Sequence, residues 1–144
     1  MNLKKVDELI PVALQLLENP SDDFKNIKTT ENKIPSKYAG YIASFGPSVI
    51  QAGIAKTLAF YKKGETADRP IITNFVKHVL VDGNPNLKLD KNKELLTLYL
   101  ENANQQTTNQ QTTLKRLNFR DKILEAALAC KLAMFTYETK EEDQ

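Results

Sequence analysis

The chain has 144 residues, of which 41% are hydrophobic and 26% are charged, and its formal net charge is +2. This length suits one domain, and this composition excludes a disordered or membrane-embedded chain. The single cysteine, Cys130, excludes an intramolecular disulfide and favours a reducing cytoplasm, and the start of the chain lacks the apolar run of a signal peptide.

The positive charge is concentrated in the middle of the chain. Residues 37–93 carry nine basic and four acidic residues, whereas residues 1–36 have a net charge of −1 and residues 94–144 of −2. The middle third could therefore attract a polyanion, although +5 is modest beside dedicated nucleic-acid binders.

The first predicted helix extends from the start of the chain to about Glu18, because apolar residues recur at three- and four-residue spacing. Pro11 lies inside this pattern and must either kink the helix or mark where its ordered part begins. Residues 19–34 are polar and have no period, so they are predicted to form a loop. Phe24 and Ile27 are expected to pin this loop to the body of the domain.

The stretch from Lys37 to Lys63 contains no acidic residue, and we expect the rest of the fold to be built around it. A short helix should end at Gly46, and Pro47 should start the next, because proline is favoured at a first helical position. That second helix, about 47–63, has no charged face and is predicted to be buried at the centre of the fold. One side of this helix should belong to the core, namely Val49, Ile50, Ile54 and Leu58. The other side carries small residues that should meet a second element or subunit, namely Ala52, Ala55 and Ala59.

Three further helices are predicted. One covers about residues 68–82, capped by Thr66 or Asp68, and the next follows a cap at Asp90. Residues 102–113 are almost all Asn, Gln or Thr and are predicted to be a flexible connection. The long last helix should cover 114–137 and pack on the central helix, and 138–144 should be a frayed tail. No segment alternates as strands do, so the prediction is a single all-α domain, a compact bundle of about six helices.

The sequence offers little chemistry for catalysis. His78 is expected to be a surface or half-buried histidine, and Cys130 a buried small hydrophobe. Glu125 is expected to be exposed or paired with Lys122 or a neighbouring cation. No phosphate loop or metal-ligand spacing is present, so we expect neither catalytic residues nor a metal or cofactor site.

Cations are the remaining candidates for function, as a surface that would bind RNA by shape and charge rather than by base edges. Lys56 and Lys63, seven residues apart, lie on one flank of the predicted central helix. The full set of candidate RNA-binding residues is Lys37, Lys56, Lys62, Lys63, Lys115, Arg116, Arg120 and Lys131.

One stretch carries a resemblance to a known family. Phe45 to Tyr61 reads F-G-P-x-V-I-Q-A-G-I-x-K-T-L-A-F-Y, and it resembles the signature of the small subunit of the Cmr complex, the type III-B CRISPR RNA-guided effector. A second, looser match covers Glu125-Ala126 and Cys130 to Ala133. The residues that match the family's main pattern are Ile50, Gln51, Gly53, Ile54, Thr57, Leu58, Ala59 and Phe60.

The resemblance implies a non-catalytic, all-α, cytoplasmic subunit that serves antiviral defence. Such proteins stack along the backbone subunits of the effector beside copies of themselves. With the large polymerase-like subunit, they line the guide–target duplex and help to hold crRNA and target RNA. Two alternatives stay open: a stand-alone helical homodimer acting as an adaptor or nucleic-acid-associated regulator, and the analogous small subunit of a type III-A system.

Overall fold

The computed structural model describes residues 1–63, 68–103 and 109–141, with side chains for all of these except residues 109–117. Within these ranges the chain is almost entirely helical, which confirms the all-α prediction, and no helix there is long and apolar enough to cross a membrane. The α-helices are α1 (Leu3–Glu18), α2 (Ser36–Ala52), α3 (Ile54–Lys63), α4 (Arg69–Gly83), α5 (Leu95–Ala103) and α6 (Asn109–Met134). Two 3₁₀-helices (Asp22–Ile27 and Pro85–Leu87) and two short strands, β1 (Ile34–Pro35) and β2 (Thr139–Lys140), complete the described elements.

Two helices, α4 and α6, form the centre of the bundle. Helix α6 packs against α1, α2, α4 and α5, and α4 packs against α1, α3 and α6. The stretch 47–63 does not occupy this position, so its prediction as the buried central helix is wrong. Helix α4 is enclosed on almost every side, and its buried residues are Ile72, Thr73, Phe75, Val76, Lys77, His78, Val79 and Leu80.

The predicted helix break at Gly46-Pro47 is also wrong, because α2 continues through Pro47 to Ala52. Pro47 has no N–H to donate to the carbonyl four residues earlier, but this loss of one hydrogen bond does not end the helix. The chain turns instead at Gly53, whose φ of +93° favours glycine. Thr57 then closes the first turn of α3, donating to the Gly53 carbonyl from its N–H at 3.2 Å and from Oγ1 at 2.9 Å.

This turn explains which residues of the stretch are core. Val49, Ile54 and Leu58 are buried as predicted, whereas the Ile50 side chain is 79% exposed. The helical phase that placed Ile50 with the others does not continue across Gly53. Helix α3 therefore has a solvent face, although its sequence lacks the acidic residues that usually mark one.

Helix α1 begins at Leu3 and is continuous through Pro11, so its ordered part does not begin at the proline. The Asn2 side chain caps it by accepting hydrogen bonds from the backbone N–H groups of Lys4 and Lys5. At the far end of α4, Gly83 lies directly against the buried Leu9 side chain, where a Cβ would clash. This close approach brings α1 against α4.

The predicted loop 19–34 contains the 3₁₀-helix Asp22–Ile27, and Phe24 and Ile27 are fully buried, as expected. Asp23 on this helix meets two basic side chains of α4. His78 Nε2 donates to its carboxylate at 3.0 Å, and Lys77 Nζ at 3.2 Å. His78 is thus buried beside a carboxylate, and the prediction of a surface or half-buried histidine is wrong.

The end of the chain differs from prediction in two ways. Helix α6 begins at Asn109 and ends at Met134, so 109–113 are helical rather than part of the flexible connection. Residues 104–108 of that connection lie outside the described residues. Residues 138–140 are not frayed, because β2 pairs in parallel with β1 and the Ile34 N–H donates to the Glu138 carbonyl at 2.9 Å.

Two of the predicted helix caps, Asp68 for α4 and Asp90 for α5, are not used. Asp68 precedes α4, but its side chain makes no capping hydrogen bond, and Thr66 lies outside the described residues. Asp90 accepts from the Asn92 N–H at 2.9 Å in a turn, and α5 begins only at Leu95. The polar side chains at these two helix starts therefore stabilise neighbouring contacts instead of helix ends.

Candidate nucleic-acid interface

The exposed face of α3 carries the strongest cluster of predicted cations. Lys56 and Lys63 are exposed and lie two helical turns apart, with the exposed Ala59 between them. Among the described residues, no carboxylate forms a salt bridge with either lysine. Both ammonium groups are therefore available to an external anion.

The small residues Ala52, Ala55 and Ala59 are all exposed. Among the described residues they do not pack on another helix of this chain. Of the two contacts predicted for them, a second element or another subunit, only the subunit contact is left, and it stays a prediction. A backbone covered only by methyl groups lets a partner approach closely. The same face of the molecule thus combines small apolar residues with uncompensated positive charge.

Lys62 and Lys37 are directed towards carboxylates. Lys62 Nζ lies 2.8 Å from Glu94 Oε2, with both side chains more than half exposed, so the pair contributes little to stability. Lys37 Nζ lies 3.0 Å from Asp68 Oδ2, and Lys37 also stacks over the Tyr38 ring at 5.3 Å. Their charges are largely balanced within the chain, so we rank them below Lys56 and Lys63 as RNA contacts.

A fifth cation of this region, Arg69, is absent from the predicted set. Its guanidinium lies 4.4 Å from the centroid of the Phe60 ring and 5.5 Å from that of Tyr41. Below this stack the Tyr61 hydroxyl donates to the Tyr41 carbonyl at 2.6 Å, and burial raises the pKa of Tyr61 to about 12. The spacing in the sequence could have indicated that Phe60 lies on the same helix face as the two lysines, because it follows Lys56 by four residues and precedes Lys63 by three.

Among the candidate cations of α6, the structure describes the side chains of Arg120 and Lys131, which lie about three helical turns apart. Arg120 lies 3.9 Å from Asp121, and its Nε is buried without a hydrogen-bond partner. Lys131 lies 5.7 Å above the Phe135 ring, in the last turn of the helix. The side chains of Lys115 and Arg116 lie outside the described residues. Of the predicted set, Lys37 lies on α2, three lysines lie on α3 and the other four cations lie on α6. Lys56 and Lys63 of α3 form no salt bridge with a described carboxylate.

An apolar groove of about 260 Å³ between α2 and α6 was also missed. Ile50, whose side chain is 79% exposed, stands at its edge. Lys131 is the charged residue of its lining, and the rest is apolar: Met1, Ile42, Ala43, Gly46, Pro47, Ile50, Leu124, Ala127 and Leu128. The sequence feature that could have indicated the groove is the Gly46-Pro47 pair, because these small residues leave space between α2 and α6.

Two of the residues considered for catalysis, Cys130 and Glu125, are buried side chains of α6. Cys130 is fully buried, and burial raises the pKa of its thiol well above the usual range, as expected for a small hydrophobe. Glu125 is buried, contrary to prediction, and accepts a hydrogen bond from the Asn2 N–H at 2.8 Å. In the described part of the chain, no three His, Cys, Asp or Glu side chains are grouped to hold a metal ion.

The family model for CRISPR-associated protein (Cas_Cmr5) matches residues 18–140. This range covers most of the chain and includes the α3 face and all of the groove lining except Met1. The chain therefore belongs to the Cmr5 family, the small subunits of type III-B CRISPR effector complexes. Neither a search of curated proteins nor a search of solved structures found a match.

Proposed function

We propose that this protein is a non-catalytic subunit of a cytoplasmic type III-B effector that stacks along the complex and helps to hold guide and target RNA. The observation that carries the RNA role is the α3 face, where Lys56 and Lys63 are exposed and no described carboxylate pairs with them. Point charges of this kind suffice to bind a phosphate backbone and do not discriminate between bases. Sequence-independent support is what a subunit needs when base pairing with the guide supplies specificity.

The proposed stacking contact uses the groove between α2 and α6. An isoleucine with 79% exposure beside an apolar groove is an unfavourable arrangement in water unless a partner covers it. The exposed small residues Ala52, Ala55 and Ala59 extend this surface towards α3. Family membership supports the larger subunits of the effector, or another copy of this chain, as the partner, and it favours the type III-B assembly over the type III-A alternative.

The RNA role is tested by the salt dependence of target-RNA binding to the assembled effector. Replacing Lys56 and Lys63 by alanine should lower the slope of log affinity against log salt by about 1.4, because each phosphate contact on a single strand contributes about 0.7. The matched control replaces Lys4 and Lys91, two lysines that are exposed elsewhere on the molecule. An equal slope for the two double variants would contradict the assignment.

The stacking role is tested by incorporation into the complex. Ile50→Gln should reduce the amount of this subunit that co-purifies with the effector, since the change removes apolar surface from the groove edge without altering charge. The control is Leu100→Gln on α5, whose side chain is 42% exposed. Normal incorporation of the Ile50 variant would show that the groove is not the contact surface.

A further inference from the structure

We propose that Phe60 is a stacking platform for one base of single-stranded RNA and that Arg69 holds its ring in position. The inference rests on the proposed RNA role and adds to it a contact of a different kind, since stacking uses the base and lysines use the phosphates. Aromatic side chains next to cations are the usual means by which proteins bind single strands without reading sequence.

Phe60 is exposed in a way that a structural phenylalanine is not. Its side chain is 57% exposed, although Phe45, Phe75 and Phe24 are completely buried. The Arg69 guanidinium lies over the ring at 4.4 Å from its centroid, and the Tyr61 ring meets it at an interplanar angle of 73°. With one ring face covered by Arg69, the exposed area belongs to the opposite face and the outer edge.

This arrangement prepares the ring for stacking. The guanidinium is itself flanked by a second ring, because it lies 5.5 Å from the Tyr41 centroid. A cation held between two aromatic faces fixes the orientation of both rings and is favourable in its own right. A base that stacks on Phe60 would therefore restrict a side chain that is already ordered, and little conformational entropy would be lost.

Charge decides between RNA and a protein partner. Phenylalanine and arginine also occur at the centres of protein interfaces. Here, however, Lys56 and Lys63 flank Phe60 along α3, about 10 Å apart along the helix axis. Neither of them nor Arg69 forms a salt bridge with a described carboxylate. Three cations around one ring, none of them paired with a described carboxylate, fit a polyanion better than a protein surface.

The test compares Phe60→Leu with Phe60→Tyr in the full chain, using fluorescence anisotropy. The probes are an oligouridine of about 12 nucleotides and an abasic oligomer of the same length. Phe60→Leu should weaken binding to oligouridine about tenfold, the effect of losing one base–aromatic stack, and should not alter binding to the abasic oligomer. Phe60→Tyr should bind both as the unmodified chain does.

The matched control is Phe135→Leu, because Phe135 is 54% exposed and also has a cation, Lys131, over its ring. It should leave binding to both oligomers unchanged. As a second measurement, ultraviolet crosslinking of 5-iodouridine RNA to the unmodified chain should join RNA to the peptide that contains Phe60. This measurement needs no variant and holds even if Phe60→Leu fails to fold.

Five results would overturn the platform. Equal effects of Phe60→Leu and Phe135→Leu would do so, as would crosslinks confined to other peptides. If replacing Lys56 and Lys63 weakened binding to both oligomers while Phe60→Leu weakened neither, the platform would be wrong and the RNA role would stand. If neither change affected binding, both the platform and the RNA role would be wrong. If Phe60→Leu bound RNA normally but entered the effector poorly, the ring would be a protein contact.

Discussion

Helices α3 and α4 are neighbours in the chain and have opposite surroundings. Helix α3 is free of acidic residues and rich in alanine, yet its Ala55, Ala59 and Phe60 face solvent. Helix α4 contains Lys77 and His78, yet both are buried. The difference is that the polar groups of α4 meet a carboxylate from another element, whereas α3 changes direction at Gly53 and turns its small residues outwards. Helix α4 is central because its polar side chains have a partner on another element, and the apolar composition of α3 did not by itself make that helix central.

The largest test of this contrast makes the same substitution in both helices. Phe75 in α4 is fully buried, with its ring centroid 5.3 Å from that of Phe24. Phe75→Ala should lower the free energy of unfolding by about 3–5 kcal/mol, because it removes buried surface and leaves a cavity. Phe60→Ala in α3 should cost less than about 1 kcal/mol, since it loses mainly the contact with Arg69. Urea unfolding measures both, and similar losses would refute the contrast.

A smaller loss of stability is expected on changing Asp23, the carboxylate that contacts the buried Lys77 and His78 of α4. Asp23→Asn should lower the free energy of unfolding by about 1–2 kcal/mol, because the buried Lys77 ammonium loses its counter-charge. The expected loss is small because the Asp23 side chain is 37% exposed and solvent screens its interaction with Lys77. The neighbouring Asp22→Asn is the control, at an exposed position where we expect about 0.5 kcal/mol or less. Equal stabilities of the two variants would mean that the Asp23 contacts are unimportant.

The Asp23 carboxyl also predicts a modest pH dependence of the stability of the fold. Burial acts to raise the pKa of Asp23, but hydrogen bonds and charges from His78 and Lys77 outweigh it, and the pKa is lowered from 3.8. A carboxyl with a depressed folded-state pKa adds stability that is present above its unfolded value and is lost as the pH falls through the folded value. The melting temperatures of the unmodified chain and Asp23→Asn should therefore converge as the pH is lowered from about 6 to below 3.8. A difference that stays constant over that range would contradict the assignment.

Local patterns in the sequence predicted much of the fold. Apolar residues at helical spacing located the first helix, the α4 helix and the last helix. Helix α1 buries one stripe, whereas α4 and α6 are buried on several sides. Phe24 and Ile27 stood out as the apolar residues of a polar segment, and both are buried. The family signature around Gly53 and Thr57 was recognised although its helices were divided at the wrong place.

The errors concern contacts between residues distant in sequence and a single backbone angle. Proline at position 47 is compatible with either a helix start or a helix interior, and only the positive φ of Gly53 shows which. Asp23 is 55 residues from His78, so no local pattern could pair them. The groove beside Ile50 needs α2 and α6 together, and the Phe60–Arg69 stack needs α3 and the start of α4. Each of these features exists only once the helices are packed.

We propose above all that the exposed face of α3 contacts RNA in the assembled effector. Acylation of lysine side chains, measured by mass spectrometry with and without target RNA, tests it most directly. Lys56 and Lys63 should become protected when RNA is added, while the exposed Lys4 on α1 should react at an unchanged rate. Unchanged reactivity of Lys56 and Lys63 on RNA binding, or protection already complete without RNA, would contradict the claim.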